Sequence, residues 1–260
     1  MSEFEGERIA KVIARAGICS RRDAERLIAE GRVSLNGDRL KSAAVNVTVR
    51  DSIVVNGKPL PREEETRLWL YHKPAGLVVS NKDPEGRPTV FQKLRQQLPR
   101  VVSIGRLDIN TEGLLLLTND GELARFMELP STGWIRRYRV RAYGKVDDAA
   151  LARIATGVEI EGIKYGPVEA KLDKSTGDNL WLTIAIKEGK NREVKKLCEY
   201  LGLRVNRLIR VSFGPFALGE LERGGIEEVP PKVMKANLGD KIFKGSSESH
   251  ADRRRKIQRP

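Results

Sequence analysis

The sequence predicts an α+β protein: a small α+β module followed by a larger domain, a mixed and mostly antiparallel sheet with helices packed on it. Three observations lead there. Two stretches of helical periodicity, Glu7 to Ala16 and Ser20 to Gly31, precede short strand-like segments. Beyond Leu68 come many strand-length runs and few helical ones, mostly joined by short turns. Between the two lies Lys58-Pro59-Leu60-Pro61-Arg62-Glu63-Glu64-Glu65, polar and twice interrupted by proline, which reads as a linker. Boundaries are therefore expected at 1–62 and 63–243, with a basic, disordered tail over 244–260 that ends in Arg253-Arg254-Arg255-Lys256.

In the module, Ile9, Ala10, Val12, Ile13 and Ala16 mark the first helix and Gly17 ends it. Ser20 with Asp23 forms a capping-box variant that opens the second helix, and Gly31 closes it. Val33–Leu35, the hairpin turn Asn36-Gly37 and a strand over 51–55 complete it. In the larger domain Leu68–Tyr71 reads as a strand, followed by the turn Pro74-Ala75-Gly76, so that Lys73 stands at a strand end. A short helix over 91–98 and a strand over 101–104 precede Gly105-Arg106-Leu107-Asp108-Ile109-Asn110-Thr111-Glu112-Gly113 and the apolar run from Leu114. Then come a helix over 122–127, an alternating strand over 136–143 that puts Tyr138, Val140 and Ala142 on one face, and a helix from Asp147 to Gly157. Strands over 166–172, 179–186 and 205–213 flank a helix over 191–201, and 231–237 reads as a last short helix.

Composition narrows the function classes. The chain has 260 residues, 40% hydrophobic and only 5% aromatic, so aliphatic residues must supply the core. Its formal net charge of +13 favours a polyanionic partner, with nucleic acid first. No apolar run approaches the length of a membrane span. Met1–Glu5 is acidic and lacks the apolar stretch of a signal peptide, which together with two isolated cysteines, Cys19 and Cys198, points to the cytoplasm. Two histidines cannot form a metal cluster, so no metal is expected.

Two constellations carry chemistry. Arg106 and Asp108 sit two residues apart in a glycine-bounded turn at the mouth of a buried strand, which holds an acid more firmly than a mobile loop does. Arg15, Arg21, Arg22 and Arg26 cluster at the first helix–helix junction and Arg32 follows it, a basic face for phosphates. Residues 7–60, with Ala14-Arg15-Ala16-Gly17-Ile18-Cys19-Ser20-Arg21-Arg22-Asp23-Ala24-Glu25 and Gly31-Arg32-Val33-Ser34-Leu35-Asn36-Gly37, resemble an S4 RNA-binding domain. Such a resemblance implies recognition of structured RNA through shape and phosphates.

His72-Lys73-Pro74-Ala75-Gly76, Gly105-Arg106-Leu107-Asp108, the Tyr138-Arg139-Val140 strand and Glu188-Gly189-Lys190-Asn191-Arg192-Glu193-Val194-Lys195-Lys196-Leu197, in that order, resemble the RsuA/RluB-type ribosomal RNA pseudouridine synthases. The large-subunit (RluB-like) branch is the nearer in wording. The resemblance implies isomerisation of one uridine to pseudouridine in ribosomal RNA by a monomer without cofactor or metal. It makes Asp108 the essential aspartate and leaves open whether that carboxylate adds covalently or removes a ribose proton. It makes Lys195 the cation that keeps the carboxylate ionised, with Arg192 as runner-up. Arg106 then holds the target nucleotide out of its stack and Tyr138 packs on the base. Lys73 joins Arg15, Arg21, Arg22, Arg26 and Arg32 in contacting RNA. Two other readings stand beside this one. A non-catalytic RNA-binding or ribosome-assembly factor would be expected to lose Asp108, Tyr138 or Lys195. A hydrolase would need a second carboxylate, for which Glu112 is the only close acid; it is expected to cap or brace the turn.

Overall fold

A computed structural model describes residues 6–61 and 64–239. The expected 62/63 boundary and the basic tail over 244–260 lie outside the described residues. The N-terminal module runs β1 (Glu7–Arg8), α1 (Ile9–Arg15), α2 (Arg21–Ala29), β2 (Val33–Leu35), β3 (Asp38–Arg39), β4 (Asn46–Val47), β5 (Ile53–Val55) and β6 (Lys58–Pro59). Ile9 and Ile13 of α1 and Ala24, Leu27 and Ile28 of α2 bury their apolar stripes on Val33, Val47, Ile53 and Val55. The first helix starts at Ile9, later than its periodicity suggests, because Glu7 and Arg8 are drawn into pairing with Val47 and Asn46. Ser20 caps α2 as expected, accepting the Asp23 N–H at 3.1 Å while its own hydroxyl donates to the Asp23 carboxylate at 2.6 Å.

One correction concerns the linker. Lys58–Pro59 is not linker but the edge strand of a sheet ordered β3-β2-β5-β6. The cause is Asn56-Gly57, whose φ angles of 54° and 75° repeat the Asn36-Gly37 turn and fold the chain back into a hairpin. An edge strand also tolerates Pro59, which has no N–H to give.

The larger domain runs β7 (Leu68–Lys73), α3 (Val90–Leu94), β8 (Val102–Ile104), β9 (Thr111–Thr118), α4 (Gly121–Glu128), β10 (Arg136–Tyr143), α5 (Asp148–Ala155), β11 (Val158–Ile160), β12 (Ile163–Tyr165), β13 (Val168–Thr176), β14 (Asn179–Ile186), α6 (Glu193–Tyr200), β15 (Arg204–Phe213), β16 (Phe216–Ala217), β17 (Ile226–Glu228) and α7 (Pro231–Leu238). Among the described residues nine strands form one sheet, β13-β14-β10-β15-β9-β7-β17, with β8 on β9 and β16 on β15. The β9–β15 pairing is parallel and its other strand pairings are antiparallel, so the mixed, mostly antiparallel sheet is confirmed. The β11–β12 hairpin and β16 and β17 had no counterpart in the sequence reading.

β9 explains the unbroken leucine run. Leu115 and Leu117 face a cluster that includes Leu151 of α5 and Leu197 of α6; Leu114 and Leu116 face another with Leu123 of α4 and Met234 of α7. A strand covered on both sides needs apolar residues at every position. Its one outer edge serves two neighbours: Thr111, Glu112 and Gly113 pair with β15, and Leu116 to Thr118 pair with β8. Where β15 departs, the Leu114 carbonyl is satisfied by Nε of buried Arg210 at 2.8 Å. Just before that point β15 lies so close that a Cβ on Gly113 would stand 2.2 Å from the Arg210 carbonyl oxygen; Gly113 also has φ +102°. Only glycine satisfies both conditions.

Candidate active site

The turn before β9 is fixed from three sides. Buried Leu107 anchors it in the core, and Thr111 N–H donates to the Asp108 carbonyl at 3.0 Å. Gly76 N–H reaches Ile109 O at 2.8 Å. Lys73, at the end of β7, is fully buried, and Nζ donates to Pro74 O, Ile109 O and Thr111 O at 3.0, 3.1 and 2.9 Å. Burial pushes its ammonium down to about 8, against the pull of Asp108 and Glu112, so at neutral pH it is charged and gives one hydrogen to each carbonyl. This corrects the expectation that Lys73 contacts RNA. Its donors are spent on backbone and none faces solvent; it ties the β7 end to the Asp108 turn.

Asp108 itself is part-exposed, and Oδ2 accepts from Lys195 Nζ at 2.9 Å. Lys195 comes from α6, which begins after Arg192 takes the left-handed conformation at φ 52°. Val194 and Leu197 of that helix join Leu107 and Tyr138 in one buried cluster, so helix, turn and β10 share a side of the sheet. Lys196 points elsewhere, to Glu161 at 2.8 Å. Arg192, the runner-up, makes no bond to Asp108 among the described residues: it is half-exposed, stands 3.9 Å from Glu199 and lines the groove beside Lys195. Tyr138 is buried in β10, on the face the alternation demanded, while Arg106 is exposed beside the turn. Next to Asp108 opens a groove of about 620 Å³ whose walls include Asn110, Lys195, Arg204, Asn206 and Arg207.

Two features of the site were missed. Glu112 is buried and does more than brace the turn: Oε1 and Oε2 accept from Arg207 Nε and Nη2 at 2.8 and 3.0 Å, and Oε2 also meets Arg223 at 3.0 Å. The Arg207 hydrogen bonds hold its carboxyl below the usual range. A carboxylate committed to two guanidiniums has no capacity left to act as the second acid of a hydrolase. Glu193, the first residue of α6, is buried; burial pushes it up to about 7, and Oε2 accepts the Lys190 N–H at 2.7 Å. No periodicity signals the Glu112 partners, 95 and more positions away, whereas Glu193 reaches back only three residues to Lys190.

The five arginines of the small module divide in the structure. Arg21 and Arg22 are exposed at the start of α2. Arg26 lies 3.0 Å from Asp23, Arg32 lies 3.1 Å from Glu30 and bonds Asn56, and Arg15 stands 3.9 Å from Glu122 of α4. Lys11 makes an ion pair with the same Glu122. Among the described residues no trio of His, Cys, Asp or Glu is placed to hold a metal, and no helix is long and apolar enough to cross a membrane.

Residues 67–200 match the RNA pseudouridylate synthase family, and residues 7–53 match the S4 domain. The chain belongs to the RNA pseudouridylate synthase family. It is 49% identical over 229 residues to an uncharacterized RNA pseudouridine synthase of Rickettsia felis, a match spanning 88% of this chain and 99% of that one. To the ribosomal large subunit pseudouridine synthase B of Haemophilus influenzae it is 44% identical over 234 residues, 86% of this chain and 65% of the relative. The crystal structure of a pseudouridylate synthase superposes with a TM-score of 0.61 at 31% identity, covering 89% of this chain and 99% of that one. This pseudouridine synthase is thus an RNA-modifying isomerase with an N-terminal S4 domain, as its motifs implied.

Proposed function

We propose that this pseudouridine synthase converts one uridine of large-subunit ribosomal RNA to pseudouridine, with Asp108 as the catalytic carboxylate. The observation that carries the reading is the Asp108–Lys195 pair at 2.9 Å on a turn whose backbone is pinned by buried Lys73. The ammonium orients one carboxylate oxygen. The other, Oδ1, has no hydrogen-bond partner among the described residues and is left to act on the ribose. The reaction breaks the N1–C1′ bond, turns the uracil and joins C5 to C1′. Substrate and product are isomers, so no redox partner or group donor enters. Tyr138 provides a flat wall for the base, and exposed Arg106 supports the backbone of the extruded nucleotide through the planar guanidinium. Residues 1–62 dock structured RNA, with Arg21 and Arg22 as the open cations, and 63–243 carry the chemistry. The large-subunit target rests on similarity to the Haemophilus influenzae enzyme. We read the protein as a cytoplasmic monomer.

The test incubates wild type and Asp108→Asn with unmodified large-subunit ribosomal RNA and maps pseudouridine by carbodiimide-dependent reverse-transcription stops. Wild type gives one new stop; the variant binds RNA with unchanged affinity and gives none, a rate loss on the order of 10⁴-fold or more. A stop of comparable strength in the variant removes Asp108 from the chemistry. Tight binding without any stop for wild type favours the RNA-binding assembly factor.

A further inference from the structure

We infer that the sheet face carrying Arg137, Arg139, Arg141, Lys171 and Trp181 is a second RNA-binding surface, which grips the ribose-phosphate backbone outside the target nucleotide. The inference rests on the reading of this chain as an enzyme acting on ribosomal RNA. In β10 the residues facing α5 and α6 are Tyr138, Val140 and Ala142, all buried; Arg137, Arg139 and Arg141 project to the opposite side and are exposed. The register carries this face across the sheet, with Thr183 and Ile209 beside Arg139, Trp181 and Arg207 beside Arg141, and Lys171 beside Thr183. None of Arg137, Arg139, Arg141, Lys171 or Trp181 belongs to a buried hydrophobic cluster.

Three properties distinguish this face from an ordinary solvated one. First, its cations outnumber its acids and are unpaired: Glu169 and Asp173 flank Lys171 on this face, and Asp173 accepts from Thr183 at 2.8 Å, yet among the described residues no ion pair joins a carboxylate to Arg137, Arg139, Arg141 or Lys171. Alternate positions on a strand are about 6–7 Å apart, so the three arginines repel one another unless a polyanion runs along them. Second, Trp181 is half-buried with the Arg139 guanidinium 4.8 Å from its ring centroid, which joins an aromatic platform to a cation, the pairing that single-stranded nucleic acid uses. Third, one residue beside the face borders the active-site groove. Arg207, the register partner of Arg141, also lines the groove shared by Asn110 and Lys195. An RNA chain leaving Asp108 along that groove reaches Arg207, the β15 neighbour of Arg141.

The test measures binding of the full chain to unmodified large-subunit ribosomal RNA between ~50 and ~200 mM salt, for wild type and for Arg137→Gln/Arg139→Gln/Arg141→Gln. Each lost phosphate contact reduces the slope of log K against log salt by about 0.7–0.9, so the triple variant loses about 2 from the slope and at least ~10-fold in affinity. The single-turnover rate at saturating RNA stays that of wild type. RNA quenches part of the emission of wild type, and Trp181→Phe removes that part. Slopes and affinities equal to wild type overturn the inference, including the case in which the face docks a protein. If the triple variant fails to fold, Arg137→Gln and Arg141→Gln are read singly, and an unchanged slope in both is equally decisive. Pseudouridine mapping on the same samples keeps the two readings apart: a wild type without activity rejects the enzyme assignment, whereas full activity with an unaltered salt slope rejects only this face.

Discussion

Asp108 and Glu112 lie one strand-entry apart on the same segment, yet their surroundings give them opposite work. Asp108 is part-exposed and, among the described residues, is hydrogen-bonded to one ammonium with Oδ1 left without a partner. Glu112 is buried on β9, with both oxygens taken by Arg207 and one shared with Arg223. An acid saturated by guanidiniums holds strands together, whereas an acid steadied on one side by a lysine can still react. Exposure and partner count thus separate two residues that proximity in sequence alone would group.

Substitutions that remove one partner at a time sharpen this contrast. The largest effect is expected for Lys195→Met, which takes away the ammonium hydrogen-bonded to Asp108. The single-turnover rate should fall about 10²–10³-fold, the range for loss of one charged active-site contact, with little change in Tm because the pair is solvent-accessible. A rate within a few-fold of wild type would show that Lys195 only packs. Glu112→Gln should behave in reverse. It leaves two arginines facing a neutral amide on a buried strand and should cost about 1–3 kcal/mol, seen as a Tm drop of several degrees, while kcat at saturating RNA changes far less. A kinetic defect without a thermal one would make Glu112 part of the chemistry and end the distinction.

The smallest effect is expected at Glu193, and its sign is set by pH. Its folded-state value, raised to about 7, exceeds that of an unfolded glutamate, so the native state holds the proton more tightly. The associated stability is complete below pH ~4.5 and is lost as pH rises through about 7. Glu193→Gln, which mimics the protonated form, should therefore add on the order of 1 kcal/mol of stability at pH 8, seen as a Tm rise of about 2–4 °C, and match wild type in acid. Thermal melts at both pH values decide it; equal Tm values at pH 8 would mean that the carboxylate is not strained by burial.

Much of this arrangement was legible in the sequence, for definable reasons. The Leu114–Leu117 run, the alternation of β10 and the caps at Ser20 and Asp147 are local signals, and local physics decided them. Lys195 was singled out over Lys196 by a family motif, and the structure turns only Lys195 toward Asp108. Lys73 went wrong because a strand-end lysine before a turn looks solvent-facing; its direction depends on carbonyls supplied 36 and 38 positions later. The Glu112 clamp was invisible because Arg207 lies 95 positions away and no periodicity connects them. The edge strand β6 carries its own local signal, since Asn56-Gly57 is the same turn as Asn36-Gly37, but Pro59 and Pro61 after it also fit a linker.

The shared edge of β9 has a mechanical meaning. One slab of the domain, β13-β14-β10-β15 with α6, carries Tyr138 and Lys195; the other, β9-β7-β17, carries the Asp108 turn. Among the described residues, strand pairing joins the slabs at Leu208–Thr111, Ile209–Glu112 and Arg210–Gly113. The Gly113 contact, the Arg210 bond to Leu114 and the Glu112 clamp act at this short joint. The carboxylate and its ammonium therefore come from opposite sides of this joint, and the buried cluster that packs Leu107, Leu115 and Leu117 against Tyr138, Val194 and Leu197 holds the two sides at a fixed separation. Packing at that joint thus sets the geometry of the reacting pair from residues that touch neither atom.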